Sequence, residues 1–118
     1  AAFQPRSILN LYEGFKAFER SYSRALNVEV QALGITVTAV CPGWVDTDML
    51  TKTIKGHKVK FPGMVTAKQV AEKAISDAKR GKDMSVCSLY VKCQHLNVKL
   101  MPQKFTMKIW MKGLKKYI

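Results

Sequence analysis

The chain has 118 residues and is 47% apolar, which suits one globular domain with a modest core. No run approaches the ~20 apolar residues of a membrane span, and residues 1–10 lack the basic-then-apolar pattern of a signal peptide. Three cysteines without Cys-x-x-Cys spacing and two scattered histidines make no zinc site, and we expect reduced thiols in a cytoplasmic protein.

The charge of +12 is distributed unevenly along the chain. Residues 1–50 carry four basic and five acidic side chains, a net charge of −1. Residues 51–118 carry sixteen basic and three acidic side chains, a net charge of +13. A field of this sign favours anionic partners, which include nucleic acid, a membrane surface and an acidic substrate.

The first predicted element is a long helix over residues 9–33. Its apolar residues recur at three- and four-residue steps and predict one buried stripe. They are Leu11, Phe15, Phe18, Tyr22, Leu26, Val30 and Leu33. Gly34 follows where a left-handed C-cap belongs.

The next run, Ile35–Val40, is short, β-branched and almost wholly apolar, which is typical of a strand buried on both faces of a parallel sheet. Pro42-Gly43 ends it. Asp46–Met64 predicts a polar, lysine-containing loop or short helix.

The second half predicts a helix, a strand and a helix over residues 66–118. Thr66 to Gln69 fits a capping box that opens a helix at 67–80, and Gly81 closes it. Ser85–Val91 is a second candidate strand, and a last helix follows Pro102. We expect the two strands to be adjacent and parallel, with the 67–80 helix in a right-handed crossover between them.

This alternation is typical of an α/β fold. Two parallel strands would expose open apolar edges, so we expect one partial domain over 1–118, the C-terminal part of a doubly wound parallel sheet. Expressed alone, it should associate or aggregate.

Tyr12 and Lys16 are the first candidates for chemistry. Side chains at i and i+4 share one face of a helix. A tyrosine hydroxyl ordinarily titrates near pH ~10, and a lysine ammonium beside it favours the phenolate. The pair suits a general acid/base, although the same spacing also occurs on ordinary helix surfaces.

The end of the first strand supplies the second candidate group. Ligands of doubly wound sheets lie beyond the carboxyl ends of the strands. Pro42-Gly43 leaves room there for a flat ring, and Val45 and Thr47 offer an amide and a hydroxyl.

Together these segments resemble the short-chain dehydrogenase/reductase family. The resemblance rests on Tyr12–Phe18, Ser23–Leu26, Glu29, Gly34–Val37 and Pro42–Thr47. It is dense over residues 1–50 and looser to residue 118. It implies a Rossmann-type NAD(P)-binding fold, with NAD or NADP as cofactor, a small alcohol/ketone substrate and a homo-oligomeric complete enzyme.

The resemblance also implies the site residues. Tyr12 is expected to be the catalytic acid/base and to contact the cofactor, and Lys16 is expected to act with it, to bind the nicotinamide ribose and to assist the tyrosine. Pro42, Gly43, Val45 and Thr47 are expected to line the nicotinamide pocket, and residues 49–64 to cover the substrate.

Some family features have no counterpart in the sequence. They are the glycine-rich phosphate loop, the relay Asn and the catalytic Ser about a dozen residues before the Tyr. Phe15 stands where the family favours Ser, which affects packing more than chemistry. Because these features are missing, we expect the isolated chain to be incomplete and inactive and to bind nicotinamide dinucleotides very weakly. Substrate and the choice between NAD and NADP do not follow from these residues.

The lysine-rich end admits a different function. Seven lysines and no acid follow Asp83, and four recur at every fourth position, at Lys104, Lys108, Lys112 and Lys116. This pattern fits a solvated outer helix or an interfacial helix on an anionic surface. No motif for specific nucleic-acid binding accompanies it. The alternative to an oxidoreductase is therefore an inactive fragment or binding module that docks through this helix.

Overall fold

A computed structural model describes residues 9–50, 52–54 and 56–114. Its elements follow in chain order as α1 (Asn10–Val30), a 3-10 turn (Gln31–Leu33), β1 (Ala39–Val40), β2 (Val45–Asp46), β3 (Thr53–Ile54), β4 (His57–Lys58), β5 (Val65–Thr66), α2 (Ala67–Lys79), β6 (Met84–Ser85), α3 (Leu89–Leu100) and α4 (Gln103–Leu114). None of the helices in these ranges has the length and hydrophobicity of a transmembrane segment.

Three short strand pairs lie between the helices in the described part of the chain. β1 pairs in parallel with β6, with Ala39 opposite Met84, and β2 pairs in parallel with β5, with Val45 opposite Val65. β3 and β4 form an antiparallel hairpin between β2 and β5. The chain is thus α/β with small parallel sheets, and α2 lies in the connection between β1 and β6. The predicted parallel pairing of these two strands is confirmed.

The predicted helix ends are also confirmed. Gly34 adopts a left-handed conformation with φ of 71°, and its N–H donates to the Gln31 carbonyl, which ends the turn after α1. Thr66 and Gln69 form both hydrogen bonds of a capping box at the start of α2. These features depend on residues a few positions apart, so the local sequence determines them.

Both predicted strands are longer than the observed ones. Only Ala39–Val40 of the first run forms a strand. Before it, the Val37 N–H donates to the Asn27 side chain and the Thr38 hydroxyl donates to the Lys82 carbonyl, so neither group serves a strand ladder. The prediction that this run is buried on both faces is wrong, because Val40 is exposed and no element among the described residues covers it.

The second predicted strand, Ser85–Val91, is wrong over most of its length. Strand pairing ends at Ser85, and α3 begins at Leu89, with the Lys92 N–H donating to the Ser88 carbonyl. A short apolar run does not distinguish a strand from a buried helix, and here the helix forms. The expected helix after Pro102 is present as α4.

The buried residues lie mainly where α2, β6 and α3 meet. Among the residues that the structure describes, the buried apolar side chains are Val86 and Val91. Asp77, which is 1% exposed, accepts hydrogen bonds from Lys73 at 2.6 Å and from Ser85 at 2.8 Å, and Lys82 lies 3.0 Å away. The hydrogen bond from Lys73, then those from Lys82 and Ser85, hold the pKa of Asp77 far below its usual range.

The apolar stripe of α1 is not buried as predicted. Large side chains of this stripe are exposed, namely Leu11, Phe15, Phe18, Tyr22 and Leu33. Glu13 and Asn27 are the buried residues of this helix instead. Periodicity identifies the apolar face of a helix but not the element that covers it.

Candidate active site

The helix α1 brings Tyr12 and Lys16 together, as their spacing predicts. The Lys16 ammonium lies over the Tyr12 ring, 5.8 Å from its centroid. Tyr12 is 53% exposed, so its hydroxyl is accessible to a ligand. The geometry is that of two neighbouring turns of one helix, which fixes the pair without support from distant residues.

Glu19 is a third member of this group, and the sequence analysis missed it. Its carboxylate accepts a hydrogen bond from the Lys16 ammonium at 2.8 Å. This hydrogen bond, then the charge of Glu19, raises the pKa of Lys16. The i, i+3 spacing of Lys16 and Glu19 was a readable signal for it. Lys16 is therefore a firmly protonated cation beside the tyrosine.

The segment Pro42–Thr47 connects β1 to the residues after β2. The Trp44 carbonyl accepts a hydrogen bond from the Val65 N–H at 3.0 Å, and Val45 pairs with Val65. Trp44 and Phe61 are in ring contact, with centroids 5.0 Å apart. Thr47 is exposed and its carbonyl accepts a turn hydrogen bond from Leu50.

Gly43 lies close to α3. A Cβ at this position would lie 2.4 Å from a methyl carbon of Val91. In this structure the close approach of Val91 is sufficient to require glycine. Pro42 is half-buried beside it.

The two groups of predicted residues are not joined directly. Between the described residues, no hydrogen bond, ion pair or ring contact connects Tyr12 or Lys16 with the segment Pro42–Thr47. Each group is ordered by its own local structure. A shared site therefore stays a prediction.

The segment that follows Thr47 forms a hairpin. The strands β3 and β4 pair antiparallel, and the Lys52 ammonium lies 2.6 Å from the Asp46 carboxylate at the end of β2. Met49 is almost fully exposed. The expected substrate loop over 49–64 thus contains a hairpin, and the Lys52–Asp46 ion pair anchors it beside the segment Pro42–Thr47.

Residues 1–58 match the family model for short chain dehydrogenase. These residues belong to the short-chain dehydrogenase family. The matched range contains α1, the segment Pro42–Thr47 and the β3–β4 hairpin. Membership supports oxidoreductase activity and a Rossmann-like fold at the level of the family, whose members generally bind NAD(P), use small-molecule substrates and form oligomers. No curated protein and no solved structure matches the chain.

The side chains suit proton transfer and the binding of sugar hydroxyls. An exposed phenol beside a protonated ammonium can donate a proton to an oxygen atom, and the ammonium can donate hydrogen bonds to hydroxyl groups.

The three cysteines are free thiols. Within the described ranges no cluster of three metal-ligating side chains occurs.

Proposed function

We propose that the chain is the C-terminal part of a cytoplasmic NAD(P)-dependent oxidoreductase that interconverts an alcohol and a ketone. The observation that carries this proposal is the Tyr12–Lys16 pair within the matched residues 1–58. We propose that the chain divides into an active-site helix at 9–33, a nicotinamide-side segment at 35–50, a substrate loop at 49–64 and a final part at 66–118.

In ketone reduction, the Tyr12 hydroxyl donates its proton to the carbonyl oxygen. The nicotinamide, when bound, supplies the hydride. The Lys16 ammonium stabilises the phenolate that remains and donates hydrogen bonds to the ribose hydroxyls. In alcohol oxidation, the Tyr12 phenolate accepts the hydroxyl proton.

Glu19 gives Lys16 a competing partner in the absence of the cofactor. The ion pair is exposed, and exposed ion pairs contribute little to stability. Exchange of Glu19 for a ribose hydroxyl therefore costs little. Pro42, Gly43, Val45 and Thr47 are proposed to line the nicotinamide pocket, with the β3–β4 hairpin over the substrate.

The test is turnover of a panel of simple alcohols and ketones with NAD(H) and NADP(H), measured on the complete enzyme of which this chain is proposed to be the C-terminal part. Tyr12→Phe should lower turnover by about 10²–10⁴-fold and leave cofactor affinity unchanged, because the hydroxyl acts on the substrate proton. Tyr22→Phe is the matched control, since Tyr22 is an exposed tyrosine on the same helix. Near-normal turnover of Tyr12→Phe would assign the acid/base role to another residue.

A second candidate function rests on α4. Phe105 and Ile109, four residues apart, are both exposed, and Lys104 and Lys108 lie beside them. Lys116 lies outside the described residues. Exposed apolar and cationic side chains on one helix suit an anionic lipid surface. Sedimentation with phosphatidylserine vesicles, lost in a Phe105→Ser/Ile109→Ser variant, would support this function, and no sedimentation of the parent protein would exclude it.

A further inference from the structure

A cleft of about 280 Å³ lies between α1 and α3. Six residues line it, namely Arg20, Arg24, His95, Val98, Lys99 and Gln103. Two come from α1, three from α3 and one from the start of α4. Neither the acid/base pair nor the segment Pro42–Thr47 contributes to it.

The lining concentrates positive charge. Arg20 and Arg24 are four residues apart on one helix, and His95 and Lys99 are four residues apart on the other. Each pair therefore shares a helix face. Asp83 approaches from outside the lining and binds Arg24 at 2.5 Å. The lining itself, as far as the structure describes it, contains no carboxylate.

His95 reports the electrostatic environment of the cleft. Desolvation, then the positive charges of Lys99, Arg20 and Arg24, hold the pKa of His95 below its ordinary value. Cations from both helices thus act on one imidazole. An anion bound between these cations would raise the pKa of His95 again.

We infer that this cleft binds a phosphate group. Arginine guanidinium groups match tetrahedral oxyanions in geometry, and lysine adds a point charge. The volume lies just below the ~300–1,000 Å³ of sites for drug-sized ligands, so the cleft admits a phosphate ion and also has room for the rest of a small phosphate ester. A phospholipid headgroup presents the same chemistry, and the experiment separates these two sources.

The cleft is distinct from the proposed acid/base pair. Arg20 lies one helical turn beyond Lys16, and Arg24 lies two turns beyond it, about 12 Å along the axis at 1.5 Å per residue. The inference therefore stands or fails independently of hydride transfer.

The experiment follows the His95 imidazole by NMR, and its signal is assigned by its loss in a His95→Gln protein. Inorganic phosphate should raise the pKa of His95 by about 1, because an opposite charge nearby favours the imidazolium. Sodium chloride at the same ionic strength is the essential control, since screening alone weakens repulsion between cations. An equal rise with chloride would overturn the inference.

Two variants of equal charge sharpen the result. Lys99→Gln should raise the pKa of His95 before any phosphate is added, because it removes a neighbouring cation, and should weaken phosphate binding by about 10-fold. Lys108→Gln, an exposed position on α4 outside the lining, should leave phosphate binding unchanged. Equal weakening of phosphate binding in both variants would mean that only the net charge matters, which would contradict a specific phosphate site in the cleft.

Vesicles distinguish the two sources. A rise in the pKa of His95 with inorganic phosphate supports a soluble phosphate ligand. A rise only with phosphatidic acid vesicles, and not with phosphatidylcholine vesicles, supports a lipid phosphate. The absence of a specific rise in both arms would refute the phosphate site.

Discussion

The helix α1 and the segment 67–100, which spans α2, β6 and α3, differ in what they bury. The helix α1 exposes Leu11, Phe15 and Phe18 next to its Tyr12–Lys16 pair. The segment 67–100 buries a charged carboxylate, Asp77, together with Val86 and Val91. The candidate chemistry thus depends on local helix geometry, whereas the packing of the described chain depends on contacts between elements. Substitutions of the pair on α1 should consequently change activity, whereas substitutions in the segment 67–100 should change the free energy of unfolding.

The largest effect on stability is expected at Gly63, which lies in the loop after the hairpin and packs against the start of α3. Its φ is 70°, and a Cβ there would lie 2.6 Å from the Tyr90 Cβ and 2.7 Å from the Ser88 hydroxyl. Gly63→Ala should lower the free energy of unfolding by about 3 kcal/mol, since overpacking adds to backbone strain. Urea denaturation measures it.

Gly34→Ala is the matched control for this prediction. Gly34 has almost the same φ, 71°, but nothing lies within 4 Å of the added Cβ. Only the backbone cost of about 1 kcal/mol should appear. Equal losses for the two alanine variants would show that the contact with α3 contributes nothing.

The next effect is expected at Asp77. Asp77→Asn removes the negative charge that Lys73 and Lys82 share, and it leaves both ammonium groups beside a neutral side chain. We expect the melting temperature to fall by several degrees. Glu72→Gln on the same helix breaks only an exposed pair with Lys68 and should leave the melting temperature almost unchanged. A similar fall in both variants would argue against a special role for the buried network.

The same network predicts a dependence of stability on pH. Because the pKa of Asp77 is lower in the folded than in the unfolded chain, its contribution is complete above the ordinary carboxyl range near pH ~4. The contribution is lost as the pH falls through that range towards the lower pKa of the folded state. The Asp77→Asn protein should therefore lose less stability than the parent between about pH 5 and 2. Parallel profiles of stability against pH for the two proteins would contradict a contribution of the Asp77 carboxylate.

The smallest effects are expected when valine is replaced by alanine once in each region. Val91 on α3 is 7% exposed, and Val28 on α1 is 70% exposed. Val91→Ala should lower the free energy of unfolding by about 1–2 kcal/mol through lost burial. Val28→Ala should change it by less than about 0.5 kcal/mol. Because both valines are helical, changes in helix propensity are matched. Equal effects would remove the distinction between the regions.

The local features of the fold could be predicted from the sequence. The caps at Gly34 and Thr66 and the Tyr12–Lys16 contact depend on residues one to four positions apart. The start of α3 could not be predicted, because the apolar run before Val91 suits both a strand and a helix. The Asp77 network could not be predicted either, since it also requires Ser85, which only the folded chain brings close.

The candidate site likewise combines a local part and a part that depends on distant packing. The pair on α1 follows from helical periodicity alone. Its relation to Pro42–Thr47 depends on how distant segments pack, and the sequence carries no local signal for that. The family match over residues 1–58 contains both groups and supports their shared role as a proposal.

A cofactor titration tests that shared role most directly. Within residues 1–118, a Trp110→Phe substitution leaves Trp44 as the sole tryptophan, and its emission overlaps the absorption of a bound dihydronicotinamide. The isolated chain should bind NADH or NADPH very weakly, whereas in the complete enzyme, with any tryptophan outside residues 1–118 replaced, either cofactor should quench Trp44 in a saturable manner. Lys16→Ala in this background should weaken binding by about 10-fold, because it removes charge-assisted hydrogen bonds to the ribose, and Lys108→Ala should leave it unchanged. Saturable quenching with the same dissociation constant in the Lys16→Ala protein would contradict a site that joins α1 to the segment Pro42–Thr47.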